Sequence, residues 1–346
     1  MSPRDFDLKA LNFYLERELP GYGEVSDLRP AGSGQSNPTY ILRTKMGSEL
    51  VLRRKPFGKL LPSAHAIDRE FRVMKALAKT TVPVPAMLSY CHDADLIGSE
   101  FFLMCHVKGQ AYMDPRLKDF GSDQRRDVFV NMAESLASLH SVNIASVGLQ
   151  DYGAQGLYFE RNLARWTKQY RASETKYQPQ IEELLQWLHA NVPSSQSEIT
   201  LVHGDYRLDN LLIDPQSGRI NAIVDWELST TGHPMSDLGA VFMQWSLPPG
   251  FEGRGLQGVD RASLGIPSDQ EFANFYTAAR GGADLSDLRF SLPFAFFRMA
   301  AILQGVVRRG LDGNAADPEG AAKMESYVPL FASGGLLAAK NTLGFC

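Results

Sequence analysis

The chain has 346 residues, 44% of them hydrophobic and 21% charged, with a formal net charge of -4. That length suffices for two lobes with cores of their own, and the acidic balance argues against a general nucleic-acid binder, which carries a basic excess. Three cysteines without a CxxC pair give neither a disulfide framework nor a zinc site, and suit a reducing cytoplasm.

The N-terminus lacks the apolar stretch of a signal peptide. Leu8 to Leu19 reads as an amphipathic helix stopped by Pro20 and Gly21. Gly32, Ser33, Gly34 and Ser36 lie in a glycine-containing turn, followed by strand-like runs Thr39 to Arg43 and Glu49 to Arg53. Lys45 to Ser48 would make the hairpin turn between them. Ala66 to Lys79 reads as a helix with Phe71, Met74, Leu77 and Ala78 on one face, ended by Val82-Pro83-Val84-Pro85. A strand over Phe101 to Met104 leads to a hinge near Val107 to Gln110.

Beyond that point helical spacing dominates: Val128, Met132, Leu136 and Leu139, then Arg161 to Tyr170 and Ile181 to Leu188. Short β segments at Leu211 to Ile213 and Ile220 to Val224 interrupt it, and the chain is helical again from about Asp269. Leu292 to Val307 contains Arg298 and Gln304, which makes it a core helix rather than a membrane span. The outline is α+β and bilobal: a small β-rich lobe over residues 1–107 and a larger helical lobe over 108–346.

The strongest segment runs His203-Gly204-Asp205-Tyr206-Arg207-Leu208-Asp209-Asn210 and ends at a strand; Asp225-Trp226-Glu227 follows the next strand. Phosphoryl transfer needs a carboxylate to orient and deprotonate the attacking hydroxyl, and oxygen ligands to hold magnesium against the phosphates. The spacing supplies Asp205 as base with Asn210 and Asp225 as metal ligands. Arg207 can neutralise charge on the transferred phosphate or pair structurally, and His203 reads as a packed residue under the loop. A zinc hydrolase built on His203, Asp205 and Asp225 lacks the ligand count.

This segment resembles the catalytic loop of the aminoglycoside phosphotransferase-like family, which shares the protein-kinase-like fold. His203-Gly204-Asp205 stands where protein kinases have His-Arg-Asp, Asp225-Trp226-Glu227 where they have Asp-Phe-Gly, and Gly232 to Gly239 matches the family's G-x-P-x-x-D-L-G segment. The resemblance implies that Asp237 braces the catalytic loop and that Gly32, Ser33, Gly34 and Ser36 cover the nucleotide phosphates. It places Arg53 on the strand that usually carries a phosphate-binding lysine, with Glu70 as its helix partner. Arg54 and Lys55 stay open as alternatives: strand alternation puts Lys55 on the face of Arg53 and Arg54 on the other. Met104, Cys105 and Val107 match the hinge, whose backbone would bind adenine. Taken alone, Glu70 reads as a solvated helix residue.

The implied activity is an Mg2+- and ATP-dependent phosphotransferase acting on the hydroxyl of a small molecule, with neither nucleic acid nor membrane as partner. The stretch Phe297 to Gly310 resembles the branch related to the kinase-like N-terminal part of certain acyl-CoA dehydrogenases, which implies a hydroxyacyl-CoA acceptor. An aminoglycoside or other small alcohol, or a nucleotide-binding regulatory module without transfer, are the alternatives. His65, His92, His140, His189 and His233 show no ligand spacing.

Overall fold

The computed structural model describes residues 7–31, 37–57, 66–196, 198–249, 254–314 and 317–340. In chain order the elements begin α1 (Leu8–Glu18), β1 (Val25–Pro30), β2 (Thr39–Thr44), β3 (Glu49–Arg54), α2 (Ile67–Leu77), β4 (Met87–Cys91) and β5 (Phe101–Cys105). There follow α3 (Ser122–His140), α4 (Tyr158–Ser173), α5 (Pro179–Asn191), β6 (Thr200–Val202), β7 (Leu211–Ile213), β8 (Ile220–Ile223) and β9 (Thr230–Gly232). The chain continues with α6 (Met235–Trp245), α7 (Arg261–Leu264), α8 (Asp269–Ala279), α9 (Leu288–Leu311), α10 (Pro318–Met324) and α11 (Tyr327–Ala339). The expected strands and helices are present, and β1, β4, β6 and β9 are additions. Their short or polar runs lack clear alternation; β1, for example, is Val-Ser-Asp-Leu-Arg-Pro and largely exposed.

Two compact units interleave along the chain: residues 1–111, 145–149 and 210–229 form one, and 112–144, 150–209 and 230–346 the other. This differs from a division at 107/108, because the β7–β8 hairpin joins the first unit. Gln110 and Ile213 exchange both backbone hydrogen bonds (2.8 and 3.0 Å), and Ile223 N–H donates to Pro83 O at 2.8 Å. Gly109 permits this approach, since a Cβ there would lie 2.9 Å from the Leu212 backbone.

In the first unit a five-stranded antiparallel sheet has the order β1-β2-β3-β5-β4. Strand alternation sends Leu42, Leu50, Leu52, Phe101 and Leu103 to one face, where Leu11, Tyr14 and Leu15 of α1 cover them. Asp7 caps α1 by accepting from Lys9 N–H at 2.8 Å. The opposite parity places Val51 and Arg53 of β3 beside Met104 and Phe102 of β5. On that face Phe71 of α2 packs 5.9 Å from the Phe102 ring. The buried stripe of α2 is Ile67, Glu70, Val73, Met74 and Leu77, not the expected Phe71, Met74, Leu77 and Ala78; Ala78 is exposed and Phe71 half-buried.

The second unit is helical. α9 packs against α4, α5, α6, α10 and α11, and α3 lies along α8. α9 is long and apolar enough to cross a membrane by composition, but 67% of that stretch is buried inside the protein, so its apolar residues serve the core. β6 and β9 form a small antiparallel pair at the two ends of the segment that carries the loop described next.

Candidate active site

In the second unit the loop after β6 is held from beneath by one carboxylate. Asp237, fully buried in the first turn of α6, accepts from His203 N–H at 2.7 Å and from Gly204 N–H at 2.8 Å. His140 of α3 reaches the same carboxylate through Nε2 at 3.2 Å, while its Nδ1 lies 2.8 Å from the Tyr276 hydroxyl. Burial pushes the Tyr276 phenol up and the His140 imidazole down, so this network is a neutral imidazole donating to Asp237 and accepting from Tyr276. Burial alone would raise the Asp237 carboxyl; the His140 and His203 contacts bring it below the usual aspartate range instead.

Gly204 adopts φ +81°, a left-handed conformation that suits glycine. Its carbonyl accepts from Arg298 Nη2 of α9 at 3.1 Å. The loop is thus fixed at both ends of the Gly204 peptide, immediately before Asp205. His203 is buried beneath it, with Nδ1 accepting from Asp205 N–H at 3.3 Å. Tyr206 is buried too and donates its hydroxyl proton to Met132 O at 2.8 Å.

Asp205 stays partly open, with 28% of its side chain accessible. Arg207 Nε lies 3.1 Å from Asp205 Oδ2 and 3.2 Å from Asp209 Oδ1. These are charge contacts rather than aligned hydrogen bonds, because the N–H points at neither oxygen. Arg254 Nη2 reaches the other Asp209 oxygen at 3.0 Å. Asp209 is therefore the shared counter-charge of two guanidiniums.

In the first unit β3, α2 and the turn after β8 bring three charges together. Arg53 Nε lies 2.8 Å from Glu70 Oε2, and its Nη2 donates to Asp225 Oδ1 at 2.6 Å. Glu70 is only 2% exposed. It falls at i+3 of the apolar stripe that begins at Ile67, so helical geometry buries it with its neighbours. Burial pushes its carboxyl up to about 7, against the pull of Arg53, and Asp225 and Glu227 add repulsion. Arg54 is buried elsewhere, 3.7 Å over the Phe57 ring, and Lys55 pairs with Glu100 at 3.0 Å. Of the three basic candidates, Arg53 alone enters the carboxylate cluster.

Asp225 has φ +65°, a left-handed conformation rare outside glycine. The turn that holds it is locked by buried Trp226, whose Nε1 donates to Ile223 O at 2.9 Å, and by Val224 N–H donating to Asn210 O at 2.9 Å. This links the backbones carrying Asn210 and Asp225. Asn37 Nδ2 adds a contact to Glu227 Oε2 at 3.4 Å.

Asn210 and Asp225 offer one amide and one carboxylate oxygen. Among the described residues no group of three His, Cys, Asp or Glu side chains is arranged to hold a metal. That donor set does not suit a protein-only cage, but it fits magnesium, which takes one or two protein oxygens and completes its shell with phosphate and water.

Gly32, Ser33, Gly34 and Ser36 lie outside the described residues. At the expected hinge, the Cys105 N–H is already donated to Ala86 O at 2.9 Å, which removes it as an adenine donor because β4 runs alongside. Met104 lies within the ladder, paired with β3 and β4. Val107, just past the strand, has no backbone hydrogen bond among the described residues. His140, Arg254 and Arg298 are contributors that sequence reading missed. They come from distant helices and loops, and nothing in their local spacing marks them. His233 also has a partner, Asp287 at 2.9 Å.

A sequence profile of the phosphotransferase enzyme family matches residues 27–276. The chain is 45% identical to mouse acyl-CoA dehydrogenase family member 10 over 89% of its length, and 41% identical to mouse member 11 over 98%. It spans only 29% and 44% of those relatives. A crystal structure of a candidate aminoglycoside phosphotransferase from Ralstonia eutropha JMP134 shares 39% identity and a TM-score of 0.87, covering 97% of this chain and 99% of that one. An aminoglycoside phosphotransferase solved with ADP and hygromycin B shares the fold, with a TM-score of 0.61 at 15% identity, covering 94% of this chain and 99% of that one.

Proposed function

The chain belongs to the phosphotransferase enzyme family, and from that premise we propose that it transfers the γ-phosphoryl group of ATP to the hydroxyl of a small molecule, with Asp205 as the base. The observation that carries the reading is the brace under the loop: Asp237 accepts from the two backbone N–H groups just before Asp205. A base must be held still to be effective, and a buried carboxylate gripping two consecutive amides does that.

Asp205 orients the acceptor hydroxyl and takes its proton as the oxygen bonds to the γ-phosphorus. The bond from that phosphorus to the β-bridging oxygen breaks, and ADP leaves. Arg53, restrained by Glu70, contributes positive charge toward the nucleotide phosphates; arginine presents two donors to a phosphate where lysine presents a point charge. Arg207 lies beside Asp205 and offsets negative charge that builds up on transfer. Magnesium, held by Asn210 and Asp225, would neutralise charge on the phosphate oxygens. Adenine would meet the Val107 backbone. A cytoplasmic setting belongs to this reading, and Cys91 and Cys105 are free thiols.

For the acceptor we favour a hydroxyacyl-CoA, on the strength of identities of 41–45% to the two acyl-CoA dehydrogenase family members. An aminoglycoside is the second reading, favoured by the Ralstonia structure. The test is ADP release from Mg-ATP over a panel of hydroxyacyl-CoAs, aminoglycosides and simple alcohols. Asp205→Asn is expected to lose about 10²–10⁴-fold in kcat while keeping ATP affinity. Unchanged turnover in that variant would remove Asp205 from the mechanism.

A further inference from the structure

A cavity open at its mouth lies inside the second unit. Met299 and Leu303, one turn apart on α9, line it together with Tyr327 and Phe331, one turn apart on α11. Met243 of α6 and Leu247 just beyond that helix complete the apolar wall. At one end the lining turns basic, with Arg207 and Arg254. No carboxylate lines it among the described residues.

Two features bear on what it holds. Its wall is rich in methionine, whose unbranched thioether adapts to flexible apolar ligands. Its basic end is Arg207, which stands 3.1 Å from Asp205. Arg207 thus belongs both to the cavity lining and to the loop that presents the base. Among the described residues the lining offers a polyamine sugar no carboxylate, and its hydroxyls would meet methionine and leucine.

We propose that this cavity binds the aliphatic chain of the acceptor, with Met299 and Leu303 setting the chain length and the acceptor hydroxyl left at the Arg207 end beside Asp205. This rests on the phosphotransfer reading for its catalytic consequence, but not for the binding itself. Each methylene moved from water into the cavity strengthens binding by about fourfold until the space is filled.

The test separates the two. Straight-chain hydroxy acids of increasing length, and their CoA thioesters, are titrated calorimetrically into the full chain and into Asp205→Asn, without nucleotide. Affinity is expected to climb with chain length and then level off, with the same gain per methylene in both proteins whatever their absolute affinities. Leu303→Trp should flatten the climb, and Leu303→Ala should move the plateau to longer chains; the second variant decides if the first does not fold. The ratio of kcat/KM for long over short chains should follow the same order. Affinity independent of chain length in the wild-type protein, or an unaltered length profile in both Leu303 variants, would overturn the proposal. So would an aminoglycoside that displaces the bound chain and binds more weakly in Leu303→Trp. Loss of the phosphotransfer reading would look different: the wild-type protein would release no ADP from Mg-ATP with any of these acceptors while the length-dependent binding persisted.

Discussion

Arg53 Nη2 donates to Asp225 Oδ1 at 2.6 Å, tying a sheet strand to a turn 172 residues later. The same guanidinium lies 2.8 Å from Glu70. One cation therefore holds two carboxylates that come from a helix and from the turn after β8.

Removing that cation should be costly. Arg53→Met leaves Glu70 buried without a counter-charge; its carboxyl, already raised to about 7, then protonates in the fold, and the expected loss of stability is about 1–3 kcal/mol by urea unfolding at neutral pH. Arg53→Met combined with Glu70→Gln should recover part of it, because the stranded carboxylate is gone. Equal losses in the single and double variants would show that the pair is not coupled.

The Asp237 network predicts how stability depends on pH. His140 is held neutral in the fold and its proton affinity lies below the usual value. The unfolded chain takes a proton near pH 6.5 while the folded chain resists, so this contribution is complete above about pH 6.5 and falls as pH drops below it. Asp237 is also depressed, so its contribution persists above about pH 3.9 and is lost only on further acidification. Compared over about pH 8 to 5, wild type should lose more thermal stability below about pH 6.5 than His140→Gln does. Glu70, raised to about 7, acts in the opposite sense and His233, also lowered by burial, adds a decline, both common to the two proteins. A decline of equal size in that variant would place its origin elsewhere.

Gly204→Ala should act on both stability and turnover. The left-handed backbone at φ +81° costs an L-residue about 1–2 kcal/mol, and relaxing it shifts the peptide that joins Asp237, Arg298 and Asp205. A fall in kcat well beyond any change in the KM for ATP is expected. A pure stability loss with full activity at low temperature would show that the conformation serves folding alone.

Asp225→Ala should raise the magnesium concentration needed for half-maximal turnover and weaken nucleotide binding with magnesium more than without it. Titration of Mg2+ at fixed ATP measures this directly. An unchanged magnesium dependence would take Asp225 out of the ligand set.

The local elements were readable in the sequence because their signals are local. Apolar period in α1 and α3, alternation in β2 and β3, and Pro-Gly stops report how a segment buries its own face. The spacing from His203 to Asn210 was readable for the same reason: a loop and the strand after it are set by adjacent residues. Glu70 was half legible: the resemblance named it as the partner of Arg53, but a lone glutamate reads as solvated and the expected stripe of Phe71, Met74, Leu77 and Ala78 left it out, so its burial came only from the structure. What only the tertiary structure decided is which distant groups meet. Asp237 needs His140 from α3, Gly204 needs Arg298 from α9, and Asp209 needs Arg254; none of these pairings has a period or a spacing. The fold also withdrew the Cys105 N–H, because the neighbouring β4 was too irregular to foresee. Chain order fixes what a residue can offer, and packing fixes what is near enough to accept it, because hydrogen bonds and ion pairs act over a few ångströms in space regardless of separation along the chain.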